Sequence, residues 1–158
     1  MAHAVFAGSF DPPTLGHLDI IARAASVFET LHVVIAVNRN KHALFRPEER
    51  FELLSACTAS LPNVRIAVWE GLVVDFAREN DCTVLVRGVR NTGDFSVEYD
   101  MSILNRTLEP SLETFLLCAE PRYAALSSTA VKEFIHYGRD VSALVPGPVL
   151  LALGGRDL

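Results

Sequence analysis

Short apolar runs alternate along the chain with stretches in which apolar residues recur at helical spacing. The runs are nearly continuous in Val, Leu, Ile and Ala, which is typical of parallel strands covered on both faces. We predict strands at residues 4–7, 31–37, 64–69, 83–86 and 114–118. We predict helices between and after them, at residues 18–28, 47–61, 72–79, 95–108 and 149–153. This alternation predicts an α/β fold: a doubly wound, Rossmann-like, five-stranded parallel sheet with helices on both faces.

Ligands of such sheets bind beyond the carboxyl ends of the strands, and the conspicuous polar residues of this chain follow the apolar runs. The clearest case is Gly-Ser-Phe-Asp-Pro-Pro-Thr-Leu-Gly-His at residues 8–17, between the first predicted strand and the first predicted helix. Backbone N–H groups of such a loop can bind a phosphate. Thr14 and His17 lie three residues apart, so both side chains can face one pocket. The alternative is a structural loop in which His17 is bound to backbone.

The string at residues 8–17 does not match two common phosphate-binding motifs. It lacks the Gly-Lys-Ser/Thr of a Walker A loop and the Gly-x-Gly-x-x-Gly dinucleotide fingerprint. After the second run, Lys41 can neutralise a phosphate, although taken alone an ordinary solvated loop is the favoured explanation. After the third run, Leu72 and Val73 are apolar where a ligand could lie, and core packing is the alternative.

Basic and hydroxyl side chains follow the last two predicted strands. Arg87 and Arg90 flank Gly88, and arginine is the fork-shaped, permanently charged ligand of phosphates. A surface ion-pair cluster is the alternative, and Asp94 suits a helix N-cap. Hydroxyls at residues 127–129 precede another helix start, where they form either a second anion site or a simple cap.

Composition narrows the function classes. The chain has 158 residues, half of them hydrophobic, and a mean hydropathy of +0.27, which predicts one domain, at residues 1–158, with a sizeable core. The net charge of −5 argues against general nucleic-acid binding. No apolar run approaches the roughly 20 residues of a membrane span, and no signal peptide is recognisable. Three scattered cysteines without metal-binding spacing predict buried, reduced thiols in a cytoplasmic protein.

Four separated motifs together resemble the phosphopantetheine adenylyltransferase family of the nucleotidyltransferase superfamily. They are Gly-Ser-Phe-Asp-Pro with Thr-Leu-Gly-His, then Lys41, then Arg-Gly-Val-Arg through Glu98, then Leu-Ser-Ser-Thr-Ala-Val-Lys-Glu at residues 126–133. In this branch of the superfamily a threonine, here Thr14, replaces the first histidine of His-x-Gly-His. One departure is that Tyr99 follows Glu98, whereas the family usually places Tyr-Glu just after the phenylalanine.

The resemblance implies a reaction, a metal and an assembly. It implies that AMP passes reversibly from ATP to 4′-phosphopantetheine, giving dephospho-coenzyme A and pyrophosphate with Mg²⁺ as cofactor, in the penultimate step of coenzyme A biosynthesis. It further implies a cytoplasmic homohexamer built as a dimer of trimers, with coenzyme A as a feedback ligand and neither nucleic acid nor membrane as a partner.

The resemblance also assigns roles to individual residues. The implied catalytic residues are His17, Lys41 and Arg90. Phosphopantetheine is implied to contact Ser9, Lys41, Val73 and Arg87. ATP is implied to contact Ser9, Phe10, His17, Gly88, Val89, Arg90, Glu98, Tyr123, Ala124, Ala125, Leu126, Ser127, Ser128 and Thr129. No protein ligand is implied for the metal.

The residues themselves favour direct transfer. No Ser-His-Asp or Cys-His group is evident, so we expect in-line attack of a phosphate without a covalent intermediate, driven by positioning and electrostatic stabilisation. Two alternatives remain open. One is a sister nucleotidyltransferase with another acceptor, such as nicotinate mononucleotide or glycerol 3-phosphate. The other is a nucleotide-binding regulatory module without catalysis.

Overall fold

A five-stranded parallel sheet forms the centre of the fold in the part of the chain that the structure, a computed structural model, describes, residues 2–38 and 42–155. The strands lie in the order β3-β2-β1-β4-β5. Their bounds are β1 His3–Gly8, β2 Thr30–Ala36, β3 Val64–Trp69, β4 Val84–Val89 and β5 Glu113–Cys118.

Helices connect and follow these strands. They are α1 Leu15–Ala25, α2 Pro47–Cys57, α3 Val73–Glu79, α4 Thr92–Leu108, α5 Ser128–His136 and α6 Gly147–Gly154. A short 3-10 turn at Pro121–Tyr123 precedes α5. The predicted doubly wound parallel sheet is therefore confirmed. Individual bounds differ from the prediction by a few residues, because capping side chains rather than apolar periodicity fix where a helix begins.

The order of the strands reverses between β1 and β4. Phe6 of β1 pairs with Val33 of β2 on one side and with Val86 of β4 on the other. The chain runs outward from β1 to β3 first, and then returns to add β4 and β5 on the opposite side. The loops after β1 and β4 consequently diverge to opposite faces and leave a crevice between them, which is the usual ligand site of such sheets.

The two faces of the sheet carry separate apolar cores. Ala4 and Phe6 of β1 pack with Ile21 of α1 on one face, whereas Val5 and Ala7 pack on the other face in the cluster that includes residues of α3. Successive residues of a strand point to opposite faces, so a strand buried on both sides must be apolar at every position. The continuous apolar run at the start of the chain reflects this burial.

A third apolar cluster joins the C-terminal part of the chain to α2. Phe45, Leu53, Val131 and Val149 are buried together where α2, α5 and α6 meet. This cluster contains no residue of the five strands. It fixes α5, whose N-terminus carries the predicted hydroxyl site, against the segment that follows β2.

Two predictions about single residues are wrong. Asp94 is not the N-cap of α4, because the side chain of Asn91 occupies that position and accepts the Asp94 N–H at 2.9 Å. Cys118 is exposed, whereas Cys82 is buried and Cys57 is partly buried. Cys118 ends an edge strand, where one flank has no neighbouring strand to cover it. Among the residues described, no helix is long and apolar enough to cross a membrane.

Candidate active site

A cavity of about 360 Å³ opens at the carboxyl ends of β1 and β4, where the strand order reverses. Three segments form most of its wall: the loop from β1 into α1 with the first turn of α1, the end of β4 with the start of α4, and the segment leading into α5 with its first residues. The lining residues from these segments include Gly8, Ser9, Phe10, Thr14, His17, Arg87, Gly88, Arg90, Asp94, Glu98, Tyr123, Leu126, Ser127, Ser128 and Thr129.

Most of the predicted site residues meet in this cavity. Those that line it are Ser9, Phe10, His17, Arg87, Gly88, Arg90, Glu98, Tyr123, Leu126, Ser127, Ser128 and Thr129. The described residues of its wall do not include Val73, Val89, Ala124 or Ala125. Val73 begins α3, after β3, and Val89 is buried at the end of β4. Lys41 lies outside the described residues.

His17 belongs to the first turn of α1, and the start of that helix sets its orientation. Thr14 is the N-cap, and its hydroxyl oxygen accepts the His17 backbone N–H at 3.3 Å. The Thr14 backbone N–H in turn donates to Nδ1 of the imidazole at 3.0 Å, which completes a capping box. Because Nδ1 accepts, the neutral ring carries its proton on Nε2. Within residues 2–38 and 42–155, Nε2 has no hydrogen-bond partner, so it is an available N–H donor.

The surroundings of His17 keep the imidazole neutral. Burial, together with the positive charge of Arg90, lowers the pKa of His17 from 6.5 to about 4. The imidazole ring also packs edge to face against Phe10, with the ring centroids 5.0 Å apart. A neutral donor is compatible with this site because charge stabilisation at a phosphate requires a hydrogen-bond donor, and arginines nearby already supply positive charge.

Arg87 links three parts of the site. Its Nε and Nη2 donate to the two carboxylate oxygens of Glu98 at 2.8 and 2.7 Å, and Nη1 donates to the Ala7 carbonyl at 2.7 Å. This fork-to-carboxylate geometry fixes α4 to the end of β4. The guanidinium has five N–H groups. Three make these bonds, and the other two remain available to a ligand. Arg87 therefore forms an ion pair with Glu98 and also lines the cavity.

Arg90 is held in a similar way. Nε donates to Oδ2 of Asp94 at 2.8 Å, and Nη1 donates to the Leu126 carbonyl at 3.1 Å. The Arg90 hydrogen bond holds the pKa of Asp94 below its usual value, against the opposing effect of burial. The two arginines are thus preorganised before any ligand arrives.

Gly88 allows β4 to pass close to α1, because a side chain there would meet Ile20 Cγ1 at 3.2 Å.

Asp11 ties the β1–α1 loop to two distant segments. Its buried carboxylate accepts the backbone N–H groups of Leu44 and Phe45, each at 2.8 Å, and lies 3.6 Å from Nζ of Lys132 on α5. The hydroxyl of Ser128 donates to the Pro12 carbonyl at 2.8 Å and adds a second tie to α5. These contacts position the segments on either side of the cavity relative to each other.

Sequence reasoning assigned no role to Asp11 or Arg50. Arg50 of α2 is 5% exposed and donates from Nη1 to the Ser9 carbonyl at 2.7 Å. In the sequence, Arg50 follows two glutamates at a helix start and looks like an ordinary solvated residue. No local pattern signals its burial, because its partner lies 41 residues earlier in the chain.

Comparison with known proteins places the chain in a family. A family model described as cytidylyltransferase-like matches residues 5–134. A phosphopantetheine adenylyltransferase of Treponema pallidum subsp. pallidum is 48% identical over 143 residues, which cover 90% of this chain and 90% of the relative. One from Levilactobacillus brevis is 45% identical over 156 residues, 99% of this chain and 97% of the relative. The chain belongs to the phosphopantetheine adenylyltransferase family.

A further relative supports the same conclusion. The phosphopantetheine adenylyltransferase of Symbiobacterium thermophilum is 47% identical over 146 residues, covering 92% of this chain and 90% of the relative. The resemblance inferred from four short motifs is therefore confirmed at the level of the whole chain. Residues of three of those motifs, at 8–17, 87–98 and 126–133, line the cavity, and the fourth, Lys41, lies outside the described residues.

Chemically, the cavity is suited to bind a polyphosphate and to stabilise charge on it. A neutral N–H donor from His17 and two fixed guanidinium groups face one space, together with hydroxyls and the N-terminus of α5. The two carboxylates of the wall, Asp94 and Glu98, are bound to arginines. The Thr14 hydroxyl lies 3.2 Å from His17 Nδ1, but it caps α1 and Nδ1 accepts the Thr14 N–H, so this pair is used in the capping box. The described residues of the wall therefore favour transfer between two bound ligands.

The pKa of His17 predicts a pH dependence of stability. Between pH 6.5 and pH 4 the unfolded chain binds a proton at His17 that the native protein does not, so stability falls as the pH falls through this window. From pH 7 to pH 5 the loss due to His17 is up to about 2 kcal/mol. Denaturant unfolding at both pH values should show a smaller loss for His17→Gln.

The matched control is His136→Gln, since His136 is exposed at the end of α5. That variant should keep the wild-type difference between pH 7 and pH 5. An equal pH dependence in His17→Gln and the wild type would contradict a neutral imidazole in the native protein.

Proposed function

We propose that the chain uses this cavity to transfer AMP from ATP to 4′-phosphopantetheine, releasing pyrophosphate and forming dephospho-coenzyme A. Relatives that are 45–48% identical to the chain, over 90% or more of its length, carry the name phosphopantetheine adenylyltransferase. The chain is accordingly a nucleotidyltransferase that acts in coenzyme A biosynthesis. The single observation that carries the proposal is the meeting of separate family motifs, from the loops after β1, β4 and β5, in one cavity.

The reaction is an in-line displacement at phosphorus. A phosphate oxygen of 4′-phosphopantetheine forms a bond to the α-phosphorus of ATP, and the bond from that phosphorus to the bridging oxygen of pyrophosphate breaks. A phosphate is an adequate nucleophile at neutral pH, so no general base is needed. The chain contributes by holding two polyanions together and by stabilising the added equatorial charge.

His17 is the residue assigned to the transition state. Its Nε2–H donates to an α-phosphate oxygen as negative charge builds there, and the capping box keeps the ring in the required orientation. Because the pKa of His17 is about 4, the donor remains neutral and uniform across physiological pH. This role requires no proton transfer from the imidazole.

The remaining residues divide between the two substrates. Ser9, Lys41, Val73 and Arg87 are assigned to phosphopantetheine. Arg90 and Glu98 are assigned to ATP, together with Ser9, Phe10, His17, Gly88, Val89 and the segment Tyr123, Ala124, Ala125, Leu126, Ser127, Ser128 and Thr129. The exposed side chain of Leu72 and the partly exposed Val73, beyond β3, would give the pantetheine arm an apolar surface.

Mg²⁺ is proposed to arrive with ATP. Within the described ranges there is no group of three or more His, Cys, Asp or Glu side chains that could hold a metal ion. Asp94 and Glu98, the carboxylates of the cavity wall, are each bound to an arginine. The residues therefore fit a metal bound by phosphate oxygens and water, and the metal would reduce repulsion between the two anionic substrates.

We also propose that the 158 residues act as one domain in the cytoplasm and that coenzyme A inhibits by occupying the same cavity. Coenzyme A contains the pantetheine arm and the adenylate that the two substrates bring separately. A ligand with both parts can contact both halves of the site at once, which favours its binding.

The chain is proposed to assemble as a homohexamer, a dimer of trimers. Only Asn105 of α4 is buried among the described residues, and the helix exposes two separate apolar rows. One row contains Val97, Met101, Leu104 and Leu108, and the other contains Phe95, Tyr99 and Ile103. At 3.6 residues per turn these rows lie on nearly opposite sides of the helix. A dimer of trimers has two kinds of interface, which two such rows could supply.

The first prediction tests the reaction and His17 together. The wild-type chain with ATP and Mg²⁺ should release pyrophosphate with 4′-phosphopantetheine, and not with nicotinate mononucleotide or glycerol 3-phosphate. His17→Ala should lower kcat by about a hundredfold or more, the scale for one lost transition-state donor, while ATP affinity changes much less. The exposed His136→Ala is the control. Near-normal turnover of His17→Ala would remove His17 from the mechanism.

The second prediction concerns the acceptor arm. Val73→Asp should raise the Kd for 4′-phosphopantetheine about tenfold or more by placing a charge against an apolar arm, and should leave ATP affinity within about twofold. Calorimetry with each substrate alone measures both values. Val27→Asp, at an exposed valine after α1, is the control. Loss of ATP affinity with retained acceptor affinity would reverse the assignment.

The third prediction concerns assembly. Light scattering should give a mass of about 104 kDa, six chains of 17.3 kDa. Leu104→Glu and Ile103→Glu each place a charge in one of the two rows, so each should reduce the mass, one to that of a trimer and the other to that of a dimer. A mass near 17.3 kDa for the wild type at micromolar concentration would reject the hexamer.

A further inference from the structure

Arg50 is a buried cation without a buried anion to match it. Its side chain is 5% exposed, Nη1 donates to the Ser9 carbonyl at 2.7 Å, and Nε is buried without a hydrogen-bond partner. In the part of the chain that is described, no carboxylate lies within 4 Å of the guanidinium. Arginine is almost never buried unless it is paired, because removing its charge from water is costly.

The hydrogen bond from Arg50 fixes the direction of the Ser9–Phe10 peptide. In a planar trans peptide the carbonyl and the N–H point in opposite directions. Since the Ser9 carbonyl faces Arg50, the Phe10 N–H faces away from it. Ser9 and Phe10 line the cavity and Arg50 does not, so this N–H is directed to the cavity side. The described residues offer it no acceptor.

Phe10 also has an unusual backbone conformation. Its φ is +47°, in the left-handed region that a bulky residue rarely adopts. Phe10 is 1% exposed as a whole residue, and its ring packs edge to face against Phe6 and against His17. Strain of this kind persists where the surroundings enforce it, and it occurs preferentially at functional sites. Arg50 on one side and the buried ring on the other hold this peptide in place.

We propose that Arg50 is a positioning residue for adenylyl transfer. It turns the Ser9–Phe10 peptide so that the Phe10 N–H is presented to a phosphate in the cavity, beside His17. Its own buried charge is balanced when the anionic substrates bind on the other side of the loop. This role rests on the proposed function, since it requires a phosphate ligand in the cavity.

A purely structural role would give a different result on substitution. If Arg50 only tied α2 to the β1–α1 loop, its loss would reduce stability, and activity would fall only as far as the protein unfolds. If it orients a donor, an apolar side chain of similar length should leave the fold intact. Replacing a buried charge by a packed hydrophobic residue is often neutral or stabilising. Arg50→Met separates these two cases.

The expected result for Arg50→Met is an unchanged or raised Tm with kcat reduced about ten- to hundredfold, part of the effect of losing a whole donor. The KM for each substrate should change less than kcat. Arg50→Lys keeps a donor for the Ser9 carbonyl and should recover part of the loss. Arg46→Met, which removes an exposed positive charge at the start of the same helix, should keep wild-type kcat.

A second measurement observes the amide directly. In protein labelled with ¹⁵N-phenylalanine, ATP should shift the Phe10 amide resonance of the wild type and of Arg46→Met, and the shift should be lost or much smaller in Arg50→Met. Arg50→Met with full kcat, or with Tm and activity lost together in both Arg50 variants, would overturn the proposal. An ATP-dependent Phe10 shift of wild-type size in Arg50→Met would overturn it equally.

The two proposals can fail separately. If the wild type does not transfer AMP to 4′-phosphopantetheine, the proposed function fails. The comparison of Phe10 shifts on addition of ATP still decides whether Arg50 orients the amide, because that comparison needs only a bound nucleotide.

Discussion

The carboxylate of Asp11 accepts two backbone N–H groups from residues 33 and 34 positions further along the chain, and the shape of the cavity depends on this contact. The loop after β1 has no regular structure of its own between Gly8 and Leu15. Its course is set from outside, by Asp11 to the segment before α2, by Arg50 to the Ser9 carbonyl and by Ser128 to the Pro12 carbonyl. A buried carboxylate is stable here because backbone donors satisfy both of its oxygens.

The site separates positive charge from hydrogen-bond donation. Arg87 and Arg90 are charged and are held by carboxylates on α4, so they contribute a fixed field. His17 remains uncharged because desolvation and the nearby Arg90 lower its pKa. Arg90, which is proposed to contact ATP, therefore also favours the neutral form of the imidazole. In this arrangement the charged arginines are suited to bind a polyanion, and the neutral imidazole N–H is suited to stabilise new charge on it.

Much of the fold could be predicted from the sequence, because the central strands are covered on both faces and are therefore mostly apolar. The motif residues of the loops after β1 and β4 were predictable because parallel strands bring their carboxyl ends together. What could not be predicted has two origins. The burial of Arg50 depends on the Ser9 carbonyl, 41 residues earlier in the chain, so no local pattern signals it. The start of α4 offers two neighbouring capping residues: Asn91 accepts the Asp94 N–H and Asp94 pairs with Arg90 instead, and residue preferences alone do not decide between the two.

The capping box at the start of α1 has a consequence for protein engineering. Thr14 begins the helix, and its backbone N–H determines which nitrogen of His17 carries the proton. Aspartate is a stronger cap than threonine, but its charge would lie beside the imidazole and would favour protonation of Nδ1. It would also repel a bound polyphosphate. In the proposed function, a substitution chosen to stabilise the helix would thus oppose binding and catalysis, so stability and activity would be coupled at this position.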